Sequence, residues 1–377
     1  MRLIRPSHPS LRPLARIVPA AVAAGAIVLA LGALGCEGSR RGAVREERTA
    51  SALPLGIQSV VRVETRSADV HFVASPDDTV RIISVRRIQS VSARSADALL
   101  RQVKVTMERQ GEQLVLRVRE PERARATVDV EAGPWRFRRS IEIDLTVAVP
   151  ARARIEGETA RGDFDAVGLS QPVSIVTTSG DVELSQLTGP ARVQCTSGDV
   201  TLRDLAQAIV VRVTAGDVDA ANLQGALTVR ATSGDVSAND VRGGARIETS
   251  TGDVEVRDLV GPVLVSTSAG EISLQGASAD SCVLESASGD IDVTLTTAPR
   301  LVQIRSSSGT VGLDLPAGAG GALDLQTGSG SIQVKSAVQV EIMNRNRLTG
   351  RLGGAGSVAI RTSSGDITLA ATSGGQP

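Results

Sequence analysis

Thr196-Ser197-Gly198-Asp199-Val200 is one copy of a phrase that returns along this chain of 377 residues. The same phrase occupies residues 178–182 and 232–236, and its glycine recurs every 18 residues. The glycines of the unbroken series are Gly162, Gly180, Gly198, Gly216, Gly234, Gly252 and Gly270. A fixed period of this length indicates stacked copies of one supersecondary unit.

Each repeat contains two short stretches of alternating apolar residues, one before the glycine and one after it. In one copy these residues are Ile209, Val211 and Val213, followed by Val218 and Ala220. Alternation with period two predicts strands that bury one face. Neither strand could bury that face alone, but stacked copies would align like residues in columns. We therefore predict an all-β fold, a parallel β-solenoid (β-helix) of about 18-residue coils, and we expect it to be right-handed.

The competing interpretation treats Ser-Gly as a two-residue hairpin turn. It would pair Cys195 with Val200 and Val193 with Leu202 on a shared face. That arrangement is locally consistent, but it gives no reason for the equal spacing of seven successive glycines.

The glycine and the residue after it form a column of turn residues. Glycine permits a positive φ at the turn, and the neighbouring carboxylate can satisfy backbone groups there. The predicted turn residues are Gly180, Asp181, Gly198, Asp199, Gly216, Asp217, Gly234, Asp235, Gly252 and Asp253. The alternative is a ladder of divalent ions. Calcium takes 6 to 8 oxygens, and one carboxylate per coil supplies too few, so we expect no metal and no cofactor.

The chain begins with the features of an export signal. Residues 1–35 hold four arginines and no acid before an apolar stretch, and small residues precede Cys36. The segment that ends at Cys36 resembles a bacterial lipobox, in which the cysteine receives a diacylglycerol. We predict a signal peptide over 1–35 and lipidation of Cys36. The alternative is an uncleaved membrane anchor, which the length of the apolar run permits.

Composition then divides the rest of the chain. Residues 36–52 are polar and charged without hydrophobic period, which predicts a flexible tether. Residues 53–150 contain strands without the 18-residue period and are predicted to form a β-rich domain that caps the stack. The solenoid is predicted over 151–370 and a disordered tail over 371–377.

Charge and cysteine content restrict the possible partners. Residues 161–377 carry 15 basic and 23 acidic residues, so the repeats lack the basic surface that binding of nucleic acid needs. Cys195 and Cys282 lie five repeats apart, about 24 Å at the spacing of stacked strands, which is too far for a disulfide. We predict that both are buried free thiols.

The Thr-Ser-Gly-Asp-Val repeats, entered through Val147-Ala148-Val149-Pro150 and Arg161-Gly162-Asp163, resemble the bacterial β-strand-repeat "putative adhesin" family, a domain of unknown function. The resemblance covers roughly residues 53–370. It implies a β-solenoid and a location in the cell envelope, and it brings no catalytic residue.

Several functions are compatible with this sequence. An enzyme is disfavoured because His71 is the one histidine after residue 35, and a Ser-His-Asp or Cys-His centre needs such a base. The expected function is a non-enzymatic, lipid-anchored envelope protein, periplasmic or surface-exposed, whose solenoid is an adhesin-like or scaffolding surface for a protein or glycan. The alternative is a module that senses envelope stress or sequesters cationic peptides. A third candidate is a polysaccharide lyase.

Overall fold

A computed structural model describes residues 43–120, 128–132 and 135–371, and for residues 128–132 and 135–139 it describes the backbone alone. Two predicted features, the signal peptide over 1–35 and the lipidated Cys36, lie outside the described residues, as do residues 372–377 of the predicted tail. The described part contains one helix, α1 (Ala93–Leu100), and is otherwise built from strands. No helix within it is both long enough and apolar enough to cross a membrane.

The strands fall into three groups along the chain. The head contains β1 (Ala43–Pro54), β2 (Val60–Thr65), β3 (Asp69–Ser75), β4 (Thr79–Ser90), β5 (Lys104–Gln110), β6 (Gln113–Arg119), β7 (Val128–Ala132) and β8 (Trp135–Pro150). The regular repeats contain β9 (Arg154–Arg161), β10 (Phe164–Val167), β11 (Val173–Ser179), β12 (Val182–Ser185), β13 (Ala191–Ser197), β14 (Val200–Leu205), β15 (Ile209–Ala215), β16 (Val218–Leu223), β17 (Leu227–Ser233), β18 (Val236–Val241), β19 (Ala245–Thr251), β20 (Val254–Leu259), β21 (Val263–Ala269) and β22 (Ile272–Ala277). The far end contains β23 (Ser281–Ser288), β24 (Ile291–Leu295), β25 (Leu301–Ser308), β26 (Val311–Leu315), β27 (Gly321–Ser329), β28 (Ile332–Val334), β29 (Gln339–Asn344), β30 (Arg347–Leu352), β31 (Gly356–Ser364) and β32 (Ile367–Ala371).

The repeats form a parallel solenoid with two long sheets, as predicted. Each coil gives its first strand to sheet B (β9, β11, β13 and onward) and its second to sheet A (β10, β12, β14 and onward). The register is 18 residues, so that Val200 pairs with Val182 on one side and with Val218 on the other. The hairpin alternative is wrong, because Cys195 and Val200 lie on strands of different sheets. Handedness stays a prediction.

The core lies between the two sheets and consists of columns of aliphatic side chains. One such column in sheet A is fully buried and comprises Val182, Val200, Val218, Val236, Val254, Ile272, Ile291 and Val311. Aromatic side chains enter this core at its first coils, where Phe72 and Phe164 stack with ring centroids 6.1 Å apart. Gly157 faces that pair, and a Cβ there would lie 2.8 Å from the Phe164 ring. The repeats therefore hold a thin interior of uniform section.

The solenoid begins inside the head rather than after it. Strand β2 pairs in parallel with β9, and β3 with β10, although 94 residues separate partners such as His71 and Asp165. The predicted boundary between 53–150 and 151–370 therefore does not separate two bodies, since both regions share both sheets. A long segment of chain separates β3 from β9, so this first coil does not follow the 18-residue period of the later coils.

Antiparallel strands then end the stack on the head side. Strands β6 and β8 lie outside the β2–β3 coil, β5 pairs antiparallel with β6, and β4 and β1 extend sheet A beyond β8. Helix α1 begins after Ser92, which forms a capping box with Ser95, and it buries Ala96 and Leu99. The open end of the solenoid is thus covered by strands of another direction.

The predicted tether over 36–52 is wrong for residues 43–52, which belong to β1, and its residues 36–42 lie outside the described part of the chain. This strand pairs with β4 along twelve residues, and ion pairs fix its charged side chains. Arg45 contacts Asp97 (Nε to Oδ1, 3.1 Å), and Glu47 contacts Arg86 (Oε1 to Nη2, 3.1 Å). An edge strand with little buried surface shows no hydrophobic alternation, so composition alone predicts a linker there.

The far end contains an insertion of one coil into the stack. Strands β31 and β32 come last among the described strands, yet they lie between the β25–β26 coil and the β27–β28 coil. Strand β27 consequently pairs in parallel with β31 on one side and antiparallel with β30 on the other. The hairpin of β29 and β30 ends sheet B.

Candidate functional site

The predicted turn glycines lie in one column, and the structure shows why the position excludes a side chain. Gly180, Gly198 and Gly216 have φ between 135° and 137°, a region that L side chains rarely adopt. A Cβ on each would also overlap the carbonyl oxygen of the preceding turn glycine. Glycine is required here both for conformation and for the close approach of neighbouring coils.

The predicted turn carboxylates also form one column, and each accepts a hydrogen bond from the next coil. The backbone N–H of Asp199 donates to Oδ1 of Asp181 (2.9 Å), and that of Asp217 donates to Oδ1 of Asp199 (2.9 Å). We call this column of glycines and carboxylates the turn ladder. It begins at Asp69 in the head and runs through Asp163.

The turn ladder is interrupted where glutamate replaces aspartate. The backbone N–H of Glu271 donates to Asp253 (2.8 Å), and the series starts again at Asp290, whose Oδ1 accepts the N–H of Thr310 (2.7 Å). At the far end Ser331 donates its backbone N–H and its hydroxyl to Asp366, which lowers the pKa of that carboxyl. Along the described residues no three His, Cys, Asp or Glu side chains are grouped to hold a metal ion. The ladder carboxylates act as acceptors for backbone N–H groups.

A second column of strained turn residues lies six positions after the glycines, and the sequence prediction missed it. Non-glycine residues there adopt φ near +50°, as at Gln186 (55°), Asp204 (57°) and Asp240 (49°). Gly168 and Gly276 fill the same position in other coils. The mixture of Asp, Asn, Gln and Gly at one repeat position was a signal for left-handed backbone.

The outer side of sheet A is strongly acidic. Outward-pointing carboxylates recur on its strands from β10 to β26, and we call this surface the acidic face: Asp165, Glu183, Asp219, Glu255, Asp292 and Asp314. The cations on those strands are Arg203 and Arg257, and Arg257 pairs with Glu255. The carboxylates of the turn ladder lie along one margin of the same surface.

The outer side of sheet B has the opposite charge. Its strands from β13 to β31 carry the basic face, which consists of Arg192, Arg212, Arg230, Arg246, Arg305 and Arg361. Two acids interrupt it. Glu248 pairs with Arg230 (Oε2 to Nε, 3.0 Å), and Glu285 pairs with Arg305 (Oε1 to Nη1, 3.0 Å). The expectation that the repeats lack a basic surface is wrong, because the two sheets sort by sign the charges that were counted together over residues 161–377. The absence of a nucleic-acid partner stays a prediction.

An open cleft of about 720 Å³ lies across β21, β23, β25, β31 and β27, at the far end of the basic face. Its lining is hydrophilic and includes Glu285, Arg305, Ser307, Arg361 and Ser363. Arg361 reaches out of it to Asp324 (Nη2 to Oδ2, 3.1 Å). The charged groups of the cleft are thus already paired, which suits a contact surface better than a site for a single ion.

A second cleft, of about 550 Å³, lies in the head between the ends of the two sheets. Apolar side chains such as Ile82, Met107 and Leu116 line it, together with Arg86. The Arg86 guanidinium donates to the Val103 carbonyl (2.9 Å) and pairs with Glu47. Glu47 offsets the charge of Arg86, whereas Arg101 and Lys104, which also line the cleft, form no ion pair within the described residues.

The histidine considered as a catalytic base lies on the outer side of sheet A. Its Nδ1 is 2.7 Å from Oδ2 of Asp165. The hydrogen bond to Asp165 raises the pKa of His71, against an opposing effect of burial. Among the described residues no hydroxyl or thiol contacts the other ring nitrogen, so the pair has no nucleophile to activate.

Both remaining cysteines are buried free thiols, as predicted. Burial raises the pKa of Cys195 to about 11 and that of Cys282 to about 12. The Cys195 thiol lies near the carbonyl oxygens of Gly180 (3.7 Å) and Gly198 (3.5 Å). Neither thiol is a reactive nucleophile at neutral pH.

The solenoid of 18-residue coils with its turn ladder matches a known family model. Residues 59–259 and 262–370 match Toastrack DUF4097, which together cover more than half of the chain. The chain belongs to this family. The family is one of unknown function, and the match agrees with the family resemblance found in the repeats. No curated protein matched the chain.

Solved structures provide distant likenesses. A "putative adhesin" from Bacteroides fragilis is 16% identical, with a TM-score of 0.36, and the match covers 64% of this chain and 96% of that one. A "putative adhesin" from Parabacteroides distasonis is 11% identical with a TM-score of 0.30, covering 86% and 97%. A "putative lipid binding protein" from the same species is 9% identical with a TM-score of 0.25, covering 86% and 96%. These values are too low to carry a function to this chain.

Proposed function

We propose that this chain is a non-enzymatic lipoprotein of the bacterial envelope that presents its solenoid as an adhesin-like or scaffolding surface. The observation that supports this role is the sorting of charge onto two long outer faces, one acidic and one basic. Each face repeats with the spacing of stacked strands, about 4.8 Å. Such a surface suits extended partners, a protein or a glycan, better than a small substrate.

The anchor in this proposal is a lipid on Cys36. Strand β1 begins at Ala43, seven residues later, and lies at the head end of the stack. The turn ladder and both sheets then carry the chain away from that end, coil by coil. A membrane attached at Cys36 would therefore hold the head close and project the far coils outward.

A non-enzymatic role agrees with the chemistry of the described residues. His71 has a carboxylate partner but no nucleophile, and both thiols have raised pKa values. A screen of the protein against polysaccharides for new reducing ends tests the remaining lyase hypothesis. New reducing ends would overturn the non-enzymatic assignment.

Attachment of cells tests the adhesin-like role directly. Cells that lack the chain should adhere less to glass and to one another, and expression of the wild-type chain should restore adhesion. A Cys36→Ala chain, which keeps every described residue but cannot take the lipid, should fail to restore it. Equal attachment of all three strains would contradict the proposal.

The second candidate, an envelope-stress module that sequesters cationic peptides, is favoured by the acidic face. Polylysine is a suitable probe, because capture by carboxylates should weaken steeply above physiological ionic strength. Asp219→Asn with Glu255→Gln should weaken capture, whereas Arg212→Gln with Arg230→Gln on the basic face should not. Salt-independent binding of polylysine would contradict a role for the carboxylates.

A further inference from the structure

The cleft in the head, of about 550 Å³, is apolar at one end and cationic at the other. Along β4 its lining changes from Ile82 to Arg86, and along β5 it changes from Met107 to Lys104. The Arg86 guanidinium donates to the carbonyl of Val103, the residue directly before Lys104. The polar ends of the two strands therefore meet, and the cleft is amphipathic along its length.

The apolar end is a margin of the core that no described side chain fills. Ile82 and Leu116 are buried core residues, whereas Leu53, Leu100 and Met107 pack against the core and are only partly buried. Removal of such side chains from water is favourable, and the volume of the cleft lies within the range of about 300–1,000 Å³ that is usual for ligand sites. The complement of this end is an apolar chain.

The other end carries an excess of positive charge. The charged residues of the lining are Glu47, Arg86, Arg101 and Lys104, three cations and one acid, which leaves a net charge of +2. Glu47 pairs with Arg86, while Arg101 and Lys104 are exposed and form no ion pair within the described residues. A carboxylate accepts charge-assisted hydrogen bonds from both guanidinium and ammonium groups. The complement of this end is therefore an anionic group.

We propose that this cleft binds a fatty acid, with its carboxylate at Arg101 and Lys104 and its hydrocarbon chain against Leu53, Ile82 and Met107. Ile82 lies four residues before Arg86 on β4, which is about 14 Å of antiparallel strand. An extended chain advances about 1.2 Å per bond, so the cleft matches a chain of about twelve carbons. This site goes beyond the proposed function and does not depend on it.

Photolabelling tests the site in an extract of cells that make the full chain. Dodecanoic acid with a diazirine on its hydrocarbon chain should, on illumination, become attached to β1, β4, β5 or β6, as located by mass spectrometry of peptides. Arg101→Gln with Lys104→Gln should reduce the label several-fold, because the carboxylate loses both partners. Arg66→Gln with Arg94→Gln is the matched control, since both are exposed arginines of the head that do not line the cleft.

Competition in the wild-type chain tests the two ends of the cleft separately. Excess dodecanoate should remove the label. Dodecanol should compete several-fold less because it has the chain without the charge, and hexanoate should compete less because its chain covers only half of the apolar lining.

Three results would overturn the proposal: label outside these four strands, equal label in the two double variants, or equal competition by dodecanol and dodecanoate. Label that appears only in a Cys36→Ala chain would make the protein's own lipid the occupant, and this result would overturn it as well.

Discussion

The backbone N–H of Asp235 donates to Oδ1 of Asp217, 2.8 Å away and one coil earlier. The same contact links coil to coil along most of the solenoid, so each carboxylate satisfies a backbone donor of the next turn. Each of these aspartates therefore accepts a hydrogen bond from the turn of the next coil rather than from its own turn. This distinguishes the turn ladder from a set of independent surface acids.

Asp217→Ala should lower the free energy of unfolding by about 1–2 kcal/mol, because it leaves the N–H of Asp235 without its acceptor. Asp217→Asn should cost less, since its side-chain oxygen can still accept. Urea denaturation measures both. Asp219→Ala is the matched control, because Asp219 points outward from β16 two residues later. An equal loss in Asp217→Ala and Asp219→Ala would contradict a structural role for the ladder.

Gly234→Ala should destabilise the chain by about 3 kcal/mol or more, since backbone strain and overlap combine at this position. The φ of Gly234 is +117°, and a Cβ would overlap the carbonyl oxygen of Gly216. Gly353→Ala is the control, because a Cβ there meets nothing within 4 Å. Thermal unfolding compares the two, and similar melting temperatures would show that the close approach of coils is not required.

Gln186→Gly should raise stability by about 1 kcal/mol, because a non-glycine residue in left-handed backbone costs about 1–2 kcal/mol. Its φ is 55°, and glycine already fills this turn position in two other coils. Gln207→Gly provides the contrast. Gln207 is exposed in a bend without positive φ, so glycine there should only destabilise. Denaturant midpoints that move in the same direction for both variants would refute this account.

The pairing of His71 with Asp165 predicts a dependence of stability on pH. The folded-state pKa of His71 is raised above its ordinary value of 6.5, chiefly by the hydrogen bond to Asp165. The resulting stabilisation is fully present below pH 6.5 and is lost as pH rises through the folded-state pKa. NMR titration of the imidazole gives that pKa, and Asp165→Asn should bring it down. A titration unchanged by Asp165→Asn would contradict the assignment.

The sequence predicted those parts of the fold that repeat at a constant interval. Fixed spacing of Gly198 and its relatives implied parallel coils, and alternation at Val211 and Val213 indicated which side chains face inward. The coil of β2 and β3 escaped prediction because its partners lie 94 residues later. Strand β1 escaped because ion pairs, rather than apolar burial, hold it. The opposite charges of the two faces could be predicted only after each repeat position had been assigned to one of the two sheets.

The insertion of β31 and β32 beneath β27 and β28 has a consequence for biosynthesis. During synthesis the β27–β28 segment emerges before the strands that must lie under it. Until residues 356–371 have been made, the edges of β27 and β28 that pair with β31 and β32 therefore remain uncovered. Closure of the far end therefore follows the synthesis of β31 and β32, the last of the described strands.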